Sequence, residues 1–172
     1  MQASITKQHV IFLDGPIGVG KTTFGKHLAE TFAGQFLDGD DYCKPNLPWF
    51  ASSLSTSQRI LDAALAALET TPIVFVAYPI RCINWIFFNR KLEEQQISAV
   101  VVGLRATLNS IASDSRSRRL SKTELERSDE MISQGYGSRS FSDFFVQTDA
   151  GNEREVLETA TFTLRKTLKV AM

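Results

Sequence analysis

The run HVIFLDGPIGVGKTT, residues 9–23, decides how the rest of the chain is read. Val10, Ile11, Phe12 and Leu13 form an apolar stretch of strand length that ends at a glycine-rich turn, which predicts a short buried strand. Gly15 through Thr22 then match G-x-x-x-x-G-K-[ST] in full. A strand precedes the match and a helical pattern follows it, the context in which such a loop binds phosphate. Glycines let the backbone turn tightly, so that amide N–H groups converge on a phosphate without side chains intervening. Lys21 offers a mobile charge to the β- and γ-phosphates, the Thr22 hydroxyl is a ligand for Mg²⁺, and the following helix adds its dipole. Gly15, Pro16, Ile17, Gly18, Val19, Gly20, Lys21, Thr22 and Thr23 are therefore expected to cradle ATP.

Outward from this loop, short apolar runs alternate with amphipathic segments. The runs cover residues 9–13, 35–37, 73–78, 99–103 and 144–147. Their near-continuous hydrophobicity suits parallel strands covered on both faces. Helices are expected over 21–32, 56–69 and 83–94. Ser55 and Gln58 have the spacing of a capping box before the second of these, and Asn152 with Glu155 stands similarly before a last helix. The fold class predicted is α/β: one three-layer domain, with a five-stranded parallel sheet between helices. Two regions break the alternation. Residues 38–54 read as a polar and aromatic loop, and residues 105–142 as a long Ser- and Arg-rich connection, the place for a mobile lid.

Bulk properties narrow the class of function. The 172 residues fit one domain, and 19 basic against 19 acidic residues leave no net charge. That balance argues against a general nucleic-acid or anionic-membrane binder, so any positive site is built locally. No apolar run is long enough to span a membrane. Cys43 and Cys82 are far apart in sequence and form no C-x-x-C pair; a lone disulfide is the alternative, and two reduced thiols in a soluble cytoplasmic protein are expected. His9 and His27 have no partner at metal-ligand spacing.

The turn FLDGDD, residues 36–41, places carboxylates at the carboxyl end of the second strand, the edge where an open parallel sheet binds ligands. Phosphoryl transfer to a hydroxyl needs one carboxylate for Mg²⁺ or its water shell and another to orient or deprotonate the attacking group. The loop alone is also compatible with a motor or a GTPase. No N-K-x-D run that reads guanine is found, and 172 residues leave no space for the extra modules of most motors. A kinase is favoured.

The loop, the acidic turn and a later Arg-rich segment together resemble the shikimate kinase and gluconate kinase group, within the nucleoside-monophosphate-kinase-like fold. By position in the F-x-D-x-D motif, the resemblance implies that Asp38 lies near Mg²⁺ and that Asp40 contacts the acceptor hydroxyl, with Asp41 the other candidate for the base. It also implies that Arg59 binds an acceptor carboxylate. Shikimate kinases carry a glycine triplet after the third strand, whereas this chain has Ala77, Tyr78 and Pro79. Gluconate kinases follow the acidic turn with a histidine, where Tyr42, Cys43 and Lys44 stand here. The loop is also similar to that of deoxynucleoside kinases, without their Glu-Arg pair after the third strand.

Arg116, Arg118 and Arg119 lie in the long connection, where kinases of this architecture carry a lid whose arginines close over the phosphates. Arginine suits that task because its planar fork grips phosphate oxygens in pairs. Arg116 and Arg119, three apart, would share a helical face, and these two are taken as the catalytic lid arginines beside Lys21 and Asp40. Arg81 and Arg127 join Arg59, Asp40 and Asp41 as candidate acceptor contacts, while Trp49 and Phe50 are available to wall the pocket. The expectation is an ATP- and Mg²⁺-dependent small-molecule kinase, monomeric or weakly dimeric. A nucleoside or nucleotide kinase and a non-catalytic nucleotide-dependent module are the alternatives.

Overall fold

The computed structural model describes residues 7–44, 46–113 and 118–170. Strands β1 (His9–Asp14), β2 (Gln35–Asp38), β3 (Ile73–Ala77), β4 (Ser98–Arg105) and β5 (Phe144–Gln147) form one sheet in the order β2-β3-β1-β4-β5. Every neighbouring pair is parallel, with Ile11 opposite Phe75 on one side and Val100 on the other. The strands are bridged by α1 (Lys21–Thr31), α2 (Trp49–Leu68), α3 (Cys82–Glu93), α4 (Leu108–Ile111), α5 (Lys122–Ser133) and α6 (Glu153–Val170).

Strand periodicity divides the core. Ile11, Leu13, Phe75, Val100 and Val102 point to one face, where Phe24 and Leu28 of α1 and Leu157 and Leu164 of α6 cover them. Val10, Phe12, Val74, Val76 and Val101 point to the other, under Ile60, Leu61 and Ala64 of α2 and Phe88 and Leu92 of α3. Successive side chains alternate across a strand, so a central strand covered on both faces has no polar side. All six residues of β1 are buried accordingly. Phe12 contacts Phe88 with ring centroids 4.7 Å apart, and its truncation to alanine would cost about 3–5 kcal/mol.

Three sequence expectations need correction. The stretch 38–54 is not one loop: a 3-10 turn spans Gly39–Tyr42, and α2 begins at Trp49 behind Pro48. The Ser55 and Gln58 pair lies inside this helix and caps nothing, since Ser55 Oγ donates to the Ser52 carbonyl and Gln58 to Asp62. The error has a cause. Ser52, Ser53, Thr56 and Ser57 look like loop residues but are buried, and Asn84 Nδ2 of α3 donates to the hydroxyls of Ser53 and Ser57 at 2.8 and 2.9 Å. The connection 105–142 likewise contains α5, opened by a capping box between Ser121 and Glu124. Leu120, Leu125 and Ile132 pack this region onto the core. At the start of α6, by contrast, Asn152 accepts the amide of Glu155 at 2.9 Å, as expected.

Candidate active site

β1 is the central strand, so the loop that follows it opens at the middle of the carboxyl edge, where an open parallel sheet binds ligands. Gly18 and Gly20 hold φ of 79° and 104°, left-handed values that carry the chain around the cradle and into α1. Val19 is buried and pins the loop inward. Lys21 Nζ donates to the carbonyls of Gly15 at 2.9 Å and Pro16 at 2.8 Å, which holds the ammonium inside the loop. Withdrawal from solvent lowers its pKa to about 8, while Asp14, Asp40 and Asp38 act in the opposite direction.

The acidic turn meets this loop directly. Thr22 Oγ1 donates to Asp38 Oδ2 at 3.0 Å, and Asp38 Oδ1 accepts the amide of Asp40 at 3.2 Å. Asp38 thus fixes the turn and faces Thr22 at once. The Asp40 carboxyl titrates above its ordinary value, first because it is partly withdrawn from water and next because Asp38 lies beside it. Lys21, Thr22, Asp38, Asp40 and Arg118 line one cleft of about 240 Å³. Two oxygen donors, Thr22 and Asp38, suit Mg²⁺, which keeps several waters and takes its remaining ligands from phosphate. Among the described residues no group of three His, Cys, Asp or Glu could hold a metal by itself.

The other predicted residues are dispersed. Asp41 is exposed and faces a neighbouring groove beside Lys26 and Tyr42, away from the cleft that Asp40 lines. Arg59, on α2, stands close enough to the end of the acidic turn for its charge to act on Cys43. Its Nε and Nη2 are buried without a hydrogen-bond partner. Arg81 caps the start of α3, and Arg127 on α5 is paired with Glu130. Arg116 lies outside the described residues, as do the side chains of Trp49 and Phe50. Arg119 is exposed and precedes α5 rather than sharing a helical face. Its neighbour Arg118 lines the cleft and pairs with Glu124.

Several residues of the site carry no sequence signal of their own. Ser128 of α5 donates to the Ile17 carbonyl at 2.8 Å, and Thr148 donates to that of Val19 at 3.1 Å. Both tie distant segments to the phosphate loop. Tyr78, in place of a glycine triplet, packs its ring on the acidic turn, where a Cβ on Gly39 would meet Tyr78 Cδ2 at 2.5 Å. Arg139 donates to the carbonyls of Ile80 and Gln134 and lies over the Tyr136 ring at 4.2 Å.

A gluconokinase from Sinorhizobium meliloti 1021 superposes with a TM-score of 0.67 over 96% of this chain and 95% of its own, at 16% identity. A shikimate kinase from Acinetobacter baumannii, solved with shikimate, superposes at 0.60 over 94% and 95%, at 19% identity. The fold is that of the P-loop small-molecule kinases. In sequence, a shikimate kinase of Psychrobacter sp. (strain PRwf-1) is 40% identical over 73 residues, 39% of this chain. The matched stretch spans 41% of that relative's length. No protein-family model matches. Among the described residues, no helix is long and apolar enough to cross a membrane.

Proposed function

We propose that this chain is a kinase that transfers the γ-phosphate of ATP to a hydroxyl of a small anionic metabolite, of the shikimate or gluconate kind. The observation that carries the reading is the convergence of Lys21, Thr22, Asp38 and Asp40 on one cleft. A loop that only held nucleotide would have no use for a second carboxylate beyond the metal's partner.

The phosphate loop amides and Lys21 hold the β- and γ-phosphates. Thr22 and Asp38 would hold Mg²⁺, which supplies charge neutralisation between those phosphates. Asp40, two residues beyond Asp38 and raised in pKa, orients the acceptor hydroxyl in line and takes its proton. Arg118 reaches the same cleft and stabilises charge on the transferring group, a task shared in this reading with Arg116 and Arg119. The buried, unpartnered Nε and Nη2 of Arg59 favour an acidic acceptor, because an unsatisfied guanidinium is costly until an anion arrives. Arg81 and Arg127 extend the positive charge on this side. The connection 105–142 contributes a lid around Arg118, with α5 as its anchored base.

A nucleoside or nucleotide acceptor is the second reading, favoured by the aromatic ring of Tyr78 on the acidic turn. One experiment separates the two: ATP consumption measured against hydroxy acids, polyols, nucleosides and nucleotides. Turnover with a hydroxy acid supports the first, and turnover with nucleosides alone replaces it. Tight ATP binding with no acceptor in any class would favour a non-catalytic module.

A further inference from the structure

The mechanism leaves the buried carboxyl of Asp14 without a role. Asp14 is the last residue of β1 and is fully buried, at 0% exposure, immediately before the phosphate loop. Its two oxygens are both engaged, and both partners come from far along the chain. Oδ1 accepts the amide of Ile80 at 2.8 Å, from the segment after β3. Oδ2 accepts the amide of Gly137 at 2.8 Å, from the segment after α5. Burial favours the neutral acid, and the two amide donors, with Arg139 and Lys21 nearby, oppose it.

Each partner passes the constraint on. Ile80 offers its carbonyl to Arg139 at 3.1 Å and follows Pro79, which lines the cleft, so its position sets the wall assigned to the acceptor. Gly137 has φ of 78° and lies against the loop, since a Cβ there would stand 3.4 Å from Gly15 Cα and 2.1 Å from the Leu104 carbonyl oxygen. Its own carbonyl accepts from Arg105 at 3.2 Å. The phosphate loop, by contrast, is tied by bonds that do not involve Asp14: Lys21 to Gly15 and Pro16, Ser128 to Ile17, and Thr148 to Val19.

We propose that Asp14 is a positioning residue, whose carboxylate locks the acceptor-side wall at Ile80 and the α5 arm at Gly137 to the root of the phosphate loop. The two segments then open only when the loop opens, and the acceptor site is held in register with the γ-phosphate. The inference rests on nucleotide binding at the loop, and it is separable from the identity of the acceptor.

ADP with Mg²⁺ is the probe, and amide hydrogen exchange is the readout. A ligand at 100 times its Kd suppresses openings that expose its site by about 100-fold. If Asp14 couples the segments, exchange at Ile80 and Gly137 slows by the same factor as in residues 15–22. A local bond without coupling would open independently, and nucleotide would leave both amides unchanged. Asp14→Asn can accept one of the two amides but turns its own N–H₂ toward the other. The variant is expected to bind ADP–Mg²⁺ within about threefold of wild type, the energy of one weak contact. It keeps the slowing at residues 15–22 and loses it at Ile80 and Gly137. A merely structural role would speed exchange with and without nucleotide and preserve the difference. Unchanged exchange at both amides in the loaded wild type overturns the proposal, even where the variant fails to fold. Absence of ADP binding by the wild type overturns the kinase reading and this inference with it.

Discussion

The residues proposed to hold nucleotide and those proposed to meet the acceptor are built on opposite principles. On the nucleotide side the groups are already paired: Lys21 has two carbonyls, Thr22 has Asp38, and the carbonyls of Ile17 and Val19 have hydroxyl donors. On the proposed acceptor side, Arg59 keeps two buried nitrogens unpartnered, and the pKa of Asp40 is raised, first by burial and next by Asp38. The first half can stand empty at little cost. The second stores unfavourable terms that, in the proposed reading, a bound anion and a transferable proton would relieve. Such an arrangement spends stability on recognition, in keeping with the usual trade between stability and function.

The largest effect expected is on transfer. Asp40→Asn keeps the shape of the turn but cannot take a proton, so turnover should fall by about 10²- to 10⁴-fold. ATP–Mg²⁺ affinity, measured by calorimetry, should stay close to wild type. A parallel loss of both would erase the division between the halves. Lys21→Ala attacks the other half. Loss of a preorganised charge on the transferring group should lower turnover by about 10²- to 10³-fold, and here nucleotide affinity falls as well. Normal turnover in that variant would sink the loop mechanism.

Arg59→Met sharpens the contrast most directly. Removing a half-buried guanidinium with unsatisfied nitrogens should stabilise the empty protein by about 1 kcal/mol, read as a higher urea midpoint. The same change should raise the KM of an acidic acceptor while leaving ATP affinity intact. A destabilised variant would show that Arg59 is structural.

The smallest effect lies outside both halves and serves as a control. His9 is buried, and desolvation followed by Lys7 lowers its pKa below 6.5. The unfolded chain therefore binds this proton at higher pH than the folded one. Stability contributed by the neutral ring is present above about pH 6.5 and declines as pH falls below it, by at most about 1.4 kcal/mol per pH unit. Urea midpoints of wild type and His9→Gln should diverge in slope between pH 7 and 5, without any change in nucleotide affinity. Parallel slopes would remove His9 from the account.

Residues 9–23 and 36–41 were legible because their chemistry is local. A phosphate cradle needs consecutive amides, so the residues that form it are adjacent in the chain, and the spacing alone identifies them. The strands were legible for a related reason: a strand covered on both faces carries a continuous apolar run, as Val10–Leu13 in β1, Ile73–Ala77 in β3 and Ala99–Val102 in β4 do. The start of α2 was not, because buried Ser53 and Ser57 find their partner in Asn84, 31 and 27 residues further on.

The sequence by itself determined the nucleotide cradle, the acidic turn at the sheet edge and the α/β alternation, all of which depend on neighbours within a few residues. Tertiary structure alone decided which charges meet. It put Arg118 rather than Arg119 against the cleft, turned Asp41 away while Asp40 faced in, and set Asp14 between amides 66 and 123 residues distant. Lone arginines and aspartates carry no periodicity that marks their partners. Their role follows from where the sheet order β2-β3-β1-β4-β5 brings separate loops to one edge, a consequence of core packing on both faces of β1.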